Sequence, residues 1–169
     1  MPHDPANTAP TPPRQGWPRF AGIVALYAVL GPLLGAVGAV VLFVALSVVT
    51  EAAQGRFEAI GALLGRGMLL TLVAGLPIAY SFGAVSSVAV GLIVALRDRR
   101  GGGISWRAAL GGAVVLWAVV AVLAALVVPP DGFLMWLVGL FAAHVVAAAL
   151  CTWLARRVFG SHPRFRGGA

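Results

Sequence analysis

Four long apolar runs separated by short polar gaps dominate the pattern of this chain. They cover residues 20–49, 68–96, 105–128 and 133–155. A helix needs about 20 largely apolar residues to cross the hydrocarbon core of a bilayer, and each run meets that length. None has the alternating segments of about ten residues that are typical of a membrane β-barrel. The pattern predicts an all-α fold, a bundle of four transmembrane helices over residues 17–157.

The segments outside these runs carry their own signals. Residues 1–16, "MPHDPANTAPTPPRQG", are polar and rich in proline, which predicts a disordered tail, and residues 158–169 predict a short basic tail. In residues 51–66 the polar positions recur on one helical face, with Phe57, Ile60 and Leu64 on another. That periodicity predicts either an interfacial helix or an extension of the second span. Pro32 and Pro77 predict kinks in the first and second spans.

The composition supports an integral membrane protein. Hydrophobic residues make up 60% of the chain and charged residues 10%, whereas soluble domains carry about 25% charged residues. A net charge of +7 can indicate a protein that binds nucleic acid. No basic helix or aromatic RNA-binding motif accompanies the arginines, so a nucleic-acid partner is not expected. The absence of lysine and the richness in Ala, Gly and Pro indicate a bacterial origin, hence the bacterial cytoplasmic (inner) membrane. The single cysteine, Cys151, excludes an intramolecular disulfide.

The distribution of arginine predicts the orientation. If four helices alternate across the bilayer, ten of the 12 basic residues fall on one side. Arginine-rich loops face the cytoplasm, so both termini are predicted to be cytoplasmic. The arginines beside the spans either set this topology or also bind anionic lipid headgroups; they are Arg97, Arg99, Arg100, Arg107, Arg156 and Arg157. Trp17, Trp106 and Trp153 should lie at the same face, and Trp136 at the opposite one.

Small residues recur every four positions along three of the spans. In lipid, close approach of backbones holds helices together, and small side chains permit it. These positions therefore predict tight helix pairs, within the chain or in a homo-oligomer or larger membrane complex. They are Gly31 and Gly35; Gly75, Ala79, Gly83, Ser87 and Gly91; and Gly139, Ala143 and Ala147.

Polar side chains inside the spans are few. His144 lies deep in the fourth span, and an ionisable group at that depth suggests a function such as proton transfer. Its alternative role is a hydrogen bond between helices. Tyr80, Ser81, Ser86 and Ser87 make the second span the most polar, and they could line a path or serve as contacts. His144 and Cys151 lie about 10 Å apart along the helix axis, so no metal site is predicted.

The sequence lacks a catalytic pattern. No Asp or Glu falls inside a span, and "GGG" at 101–103 lacks the Lys-Ser/Thr of a phosphate-binding loop. No Gly-x-Ser-x-Gly motif is present. We therefore expect a non-enzymatic protein without a cofactor, acting as an accessory, assembly or interaction subunit. The alternative is a small homo-oligomeric transporter of a solute or ion that uses His144 and the segment 80–87.

Overall fold

The computed structural model describes residues 16–101, 103–126 and 133–160. Within these ranges the chain forms five α-helices and a π-helical turn, and no strand. The helices are α1 (Trp17–Ala53), α2 (Phe57–Ala62), α3 (Met68–Gly101), α4 (Trp106–Ala125) and α5 (Phe133–Phe159), and the π-helical turn is Leu63–Gly67. The predictions for the first tail and for most of the last tail fall outside the described residues.

Four helical segments are long and apolar enough to cross a membrane. They are Trp17–Ala53, Phe57–Ser81, Trp106–Ala125 and Trp136–Phe159. The all-α bundle of four transmembrane helices is therefore confirmed, and the chain has the architecture of a multi-pass membrane protein. Pro32 lies inside α1 and Pro77 inside α3, and both helices continue past them.

The stretch 51–66 is divided between two helices. Residues Glu51–Ala53 end α1, and a turn at Gln54 and Gly55 reverses the chain. Gly55 has a φ of 72°, a conformation that glycine adopts without a steric penalty. An exposed ion pair, Arg56 Nε to Glu51 Oε2 at 2.6 Å, closes this turn. From Phe57 the chain is helical without interruption through α2 and the π-helical turn into α3, so residues 57–67 lengthen the second transmembrane helix.

The long helices form a four-cornered bundle. α1 packs against α3 and α5, and α4 packs against the same two helices. α1 and α4 therefore occupy opposite corners, as do α3 and α5. The deepest packing lies near one end, where the start of α1, the end of α3, the start of α4 and the end of α5 meet; its core includes Ile23, Tyr27, Val94, Ala109 and Cys151. We refer to this as the arginine-rich end, since Arg19, Arg97, Arg99, Arg100, Arg107, Arg156 and Arg157 lie there.

Candidate functional site

A buried ion pair joins α1 to α3 at the arginine-rich end. The Arg19 guanidinium contacts both oxygens of Asp98, Nε to Oδ2 at 2.8 Å and Nη2 to Oδ1 at 3.2 Å. The Asp98 side chain is 2% exposed and that of Arg19 is 16% exposed. Burying a carboxylate is costly unless it is paired, and the two-point contact matches the planar fork of arginine. The pair therefore fixes the first turn of α1 against the last turn of α3.

The same guanidinium also caps the end of α5. Arg19 Nη1 donates to the carbonyl of Phe159, and Nη2 donates to the carbonyl of Gly160 at 3.2 Å. The last carbonyls of a helix have no partner within the helix, and the helix dipole favours a cation there. Gly160, with a φ of 72°, ends α5 in the left-handed conformation typical of helix termini. One side chain thus connects three of the four long helices.

A second polar contact lies deeper in the bundle, between α1 and α5. The hydroxyls of Tyr27 and Thr152 are 2.6 Å apart, and both side chains are almost fully buried. The Thr152 hydroxyl donates to the carbonyl of Ala148 at 2.6 Å, so Tyr27 must donate to Thr152. Every hydroxyl proton of the pair is then used, and the contact holds α1 and α5 together.

We expect Tyr27→Phe to lower the free energy of unfolding by about 0.6 kcal/mol, the typical value of an interhelical hydrogen bond in a membrane. The ring still fills its site, and only the bond to Thr152 is lost. Unfolding in mixed micelles, combined with Thr152→Val in a double-mutant cycle, measures this coupling. Thr50→Val is the control, because the exposed Thr50 hydroxyl donates only to Leu46 of its own helix. A coupling of zero would contradict the assigned contact.

The polar residues predicted from the second span bond mainly to backbone. The Tyr80 hydroxyl donates to the carbonyl of Val29 on α1 at 2.7 Å, and the Ser81 hydroxyl donates to Pro77 of its own helix at 2.8 Å. Ser86 is buried, and Ser87 packs closely against Gly31. These side chains connect α3 to α1 or to its own preceding turn.

His144 is placed apart from that segment. It lies on α5, at the corner opposite α3, and its Nδ1 is 2.8 Å from the carbonyl of Leu140 in its own helix. Its Nε2 atom is buried and has no hydrogen-bond partner in the described part of the chain. No hydrogen bond between described residues joins His144 to Tyr80, Ser81, Ser86 or Ser87. The structure therefore does not bring the predicted polar positions together.

Most of the small residues predicted to pack lie between helices of this chain. On one side of α1, Gly31 faces Ser87; a Cβ atom on Gly83 would lie 3.7 Å from Pro32, and one on Gly91 only 2.8 Å from Tyr27.

On the other side, a Cβ atom on Gly35 would lie 3.5 Å from the Ala143 carbonyl and 3.7 Å from Ala147, and Gly139 packs under the ring of Phe43. No atom from outside its own helical turn lies within 4 Å of a Cβ placed on Gly75, and Ala79 is half-buried. α1 is therefore the helix that both small-residue faces approach.

The arginines next to the spans differ in their contacts. The Arg99 guanidinium lies 4.5 Å above the ring of Trp17, and that of Arg157 lies 5.3 Å above Trp153. Arg156 donates to the carbonyl of Ile104 at 3.3 Å. Arg97, Arg100 and Arg107 are exposed and make no ion pair with any described residue. Trp136, predicted at the opposite face, is exposed at the start of α5.

Sequence reasoning missed the residues that carry the central contacts. In the sequence, Arg19 is one of the ten basic residues that predict the orientation, and no pattern assigns a role to Asp98, Tyr27 or Thr152. One signal was available: Asp98 is the single acid in the run Arg97-Asp98-Arg99-Arg100, at the predicted end of a span. An isolated carboxylate at such a boundary could pair with an arginine of another helix, but the sequence does not show which one.

Comparison of the chain with protein-family models, with curated proteins and with solved structures gives no match. The function must therefore be argued from the chemistry of the chain itself. Within the described residues, no group of three or more His, Cys, Asp or Glu side chains could hold a metal ion. The strongest polar contacts, Arg19 with Asp98 and Tyr27 with Thr152, join helices to one another.

Proposed function

We propose that this chain is a non-enzymatic subunit of the bacterial cytoplasmic membrane that packs against a partner protein as an accessory or assembly component. The observation that carries the proposal is an apolar helical hairpin that the rest of the bundle leaves uncovered. This hairpin tip comprises residues 46–73: the end of α1, the turn, α2, the π-helical turn and the start of α3. It lies at the end of the bundle opposite the arginine-rich end.

The helix lengths make the tip unusual. α4 has 20 residues, which span about 30 Å, the thickness of the hydrocarbon core. α1 has 37 residues, or about 55 Å of helix, and the continuous helix 57–101 is longer still. Tilt takes up part of the excess. The remainder of the α1–α3 hairpin extends beyond the level that α4 reaches.

The tip carries four charged side chains, Glu51, Arg56, Glu58 and Arg66, and its other side chains are mainly apolar, none of them buried. Between residues 57 and 81 no described side chain is buried. The large apolar side chains of the tip that are more than half exposed are Val49, Phe57, Leu64, Leu69, Leu70 and Val73. Leu64, Leu69, Leu70 and Val73 fall within Phe57–Ser81, so lipid covers them where that segment lies in the hydrocarbon. Any apolar part of the tip that extends beyond the hydrocarbon is costly to hydrate, and a continuous exposed apolar patch is typical of an interaction surface.

The arginines support the proposed orientation. The arginine-rich end would face the cytoplasm, with both chain ends on that side, because arginine is retained there. The partner would then contact the tip at or beyond the outer leaflet. A second copy of this chain is one such partner, and a different membrane protein is the other.

Purification from solubilised membranes tests the proposal. We expect a tagged chain to retain a partner at a fixed ratio, and we expect Leu69→Ala with Leu70→Ala to lose it because the variant removes exposed apolar surface from the tip. The matched control is Val122→Ala with Leu123→Ala, which trims similarly exposed side chains on α4. Two differently tagged copies distinguish self-association from a foreign partner. A chain that purifies alone and monomeric would contradict the proposal.

One observation favours a second candidate, transport of a solute or ion. The buried Nε2 of His144 has no partner among the described residues, and such an atom is available to a translocated proton or to a group from a second copy. Flux through liposomes that hold only this protein, lost in His144→Ala, would favour transport. Unchanged flux in His144→Ala, or no flux in the unaltered protein, would exclude a transport role for this histidine.

A further inference from the structure

We propose that the arginine-rich end contains a binding site for the phosphate group of an anionic lipid, formed by Arg99 stacked on Trp17. The site is independent of the partner surface at the hairpin tip. It uses the guanidinium edge of Arg99 as the donor and the ring of Trp17 as its support. Arg100, next in the chain, adds a further positive charge at the same helix end.

The charge balance at this end leaves the site without an internal anion. Among the described residues the acids are Glu51, Glu58 and Asp98. Asp98 is buried and bound by Arg19 on both of its oxygens. Glu51 and Glu58 lie in the tip, at the other end of the bundle. No described carboxylate is therefore free to neutralise Arg99, so an anion bound by Arg99 would come from outside the described residues.

The geometry leaves the N–H donors of the Arg99 guanidinium available to a ligand. Its guanidinium carbon lies 4.5 Å from the centre of the Trp17 ring, so the ring covers one face of the cation. No hydrogen bond from Arg99 to a described residue occupies the edge of the group, where the N–H donors lie. The planar fork of a guanidinium binds a phosphate through two parallel hydrogen bonds.

The position also matches a lipid headgroup. Trp17 is mostly exposed, and amphipathic rings of this kind settle at the level of the headgroups. Arg99 stands on the last turn of α3, beside that ring. A phosphate at this depth is the headgroup of a neighbouring lipid. Positive charge near an anionic membrane surface already attracts such lipids, and the fork adds a preferred position.

Replacing arginine by lysine distinguishes a phosphate-binding site from a general effect of positive charge. Orientation in the membrane depends on positive charge, so Arg99→Lys should preserve it. A phosphate site depends on the planar fork and on its stacking, so the same change should weaken it. Arg100→Lys is the matched control, because Arg100 is a neighbouring exposed arginine that has no ring contact.

The experiment measures binding of phosphatidylglycerol to the purified full chain by native mass spectrometry. We expect Arg99→Lys and Trp17→Leu each to weaken binding about fivefold, and Arg100→Lys to change it by less than about twofold. Equal weakening by the two lysine variants would overturn the proposal, because charge alone would then explain binding. Thermal unfolding of each variant checks that the fold is retained.

Two further ligands identify the source of the phosphate. Phosphatidylcholine carries the same diester with a compensating cation and should bind more weakly than phosphatidylglycerol. Inorganic phosphate at millimolar concentration should not displace phosphatidylglycerol. Displacement by free phosphate, or preferential binding of phosphatidylcholine, would overturn the assignment to an anionic lipid.

Discussion

Replacing Asp98 by alanine is expected to lower the free energy of unfolding by about 3 kcal/mol, as removal of one partner from a buried ion pair does. The change leaves the Arg19 guanidinium largely buried without its carboxylate. Arg19 would keep the carbonyls of Phe159 and Gly160, and it is itself 16% exposed, so the effect falls at the lower end of the range for such pairs. Unfolding of the purified chain in mixed micelles, followed by circular dichroism, measures it.

The exposed ion pair of the tip is the control for Asp98→Ala. Glu51→Ala breaks a contact of 2.6 Å to Arg56, whose side chain is 59% exposed. Exposed pairs contribute about 0–1 kcal/mol, so this variant should unfold almost as the unaltered chain does. If Asp98→Ala and Glu51→Ala had the same small effect, the buried pair would not be what joins α1 to α3.

A double variant separates the cost of an unpaired Arg19 charge from the loss of the hydrogen bonds that Arg19 donates. In Asp98→Ala with Arg19→Met, no unpaired charge remains in the bundle, and we expect part of the lost stability to return. The recovery should be incomplete because methionine cannot donate to the carbonyls at the end of α5. A double variant less stable than the sum of the two single changes would contradict this reasoning.

The second large effect is expected for Gly91→Leu. A Cβ atom at Gly91 would lie 2.8 Å from the Cβ of Tyr27 and 3.4 Å from the Cα of Val24, so α1 and α3 must separate to admit any side chain. Overpacking of a close contact costs about 1–3 kcal/mol, and leucine should reach the upper end of that range. The same unfolding measurement detects it, together with the recovery of folded protein from membranes.

Gly75→Leu is the matched control on the same helix. Nothing lies within 4 Å of a Cβ placed there, so leucine should be tolerated within about 0.5 kcal/mol. Gly83→Ala should also be mild, because its Cβ would meet Pro32 at 3.7 Å, an ordinary contact distance. Equal tolerance of leucine at 75 and 91 would contradict the close approach of α1 and α3.

The predicted small-residue positions show where sequence reasoning reached its limit. The spacing of four identified Gly83, Ser87 and Gly91 as one face of a helix, because helical periodicity is local. The spacing could not assign a neighbour to that face. Gly75 lies on the same row, yet no atom lies within 4 Å of a Cβ placed there. Only the relative tilt and length of the helices decide which part of a row is covered.

The polar residues also show that the sequence does not identify which side chains make contacts between helices. His144 was the most conspicuous side chain in the sequence, yet it bonds within its own helix and its second nitrogen is left without a partner among the described residues. Arg19 and Asp98, by contrast, are 79 residues apart in the chain. Each resembles an ordinary charge at a span boundary until the bundle brings the two together.

The sequence by itself determined that the chain is helical, that four of its segments are long and apolar enough to cross a membrane, and that most of its arginines fall on one side. These properties depend on the length of each apolar run and on the position of each charge. Both act on one segment at a time, without contacts to distant residues. Tertiary structure decided which helices are neighbours, that Arg19 joins three of them, and that the α1–α3 hairpin extends past α4 uncovered. These features depend on contacts between distant residues and on how far each helix continues beyond its neighbours, and no local pattern specifies either.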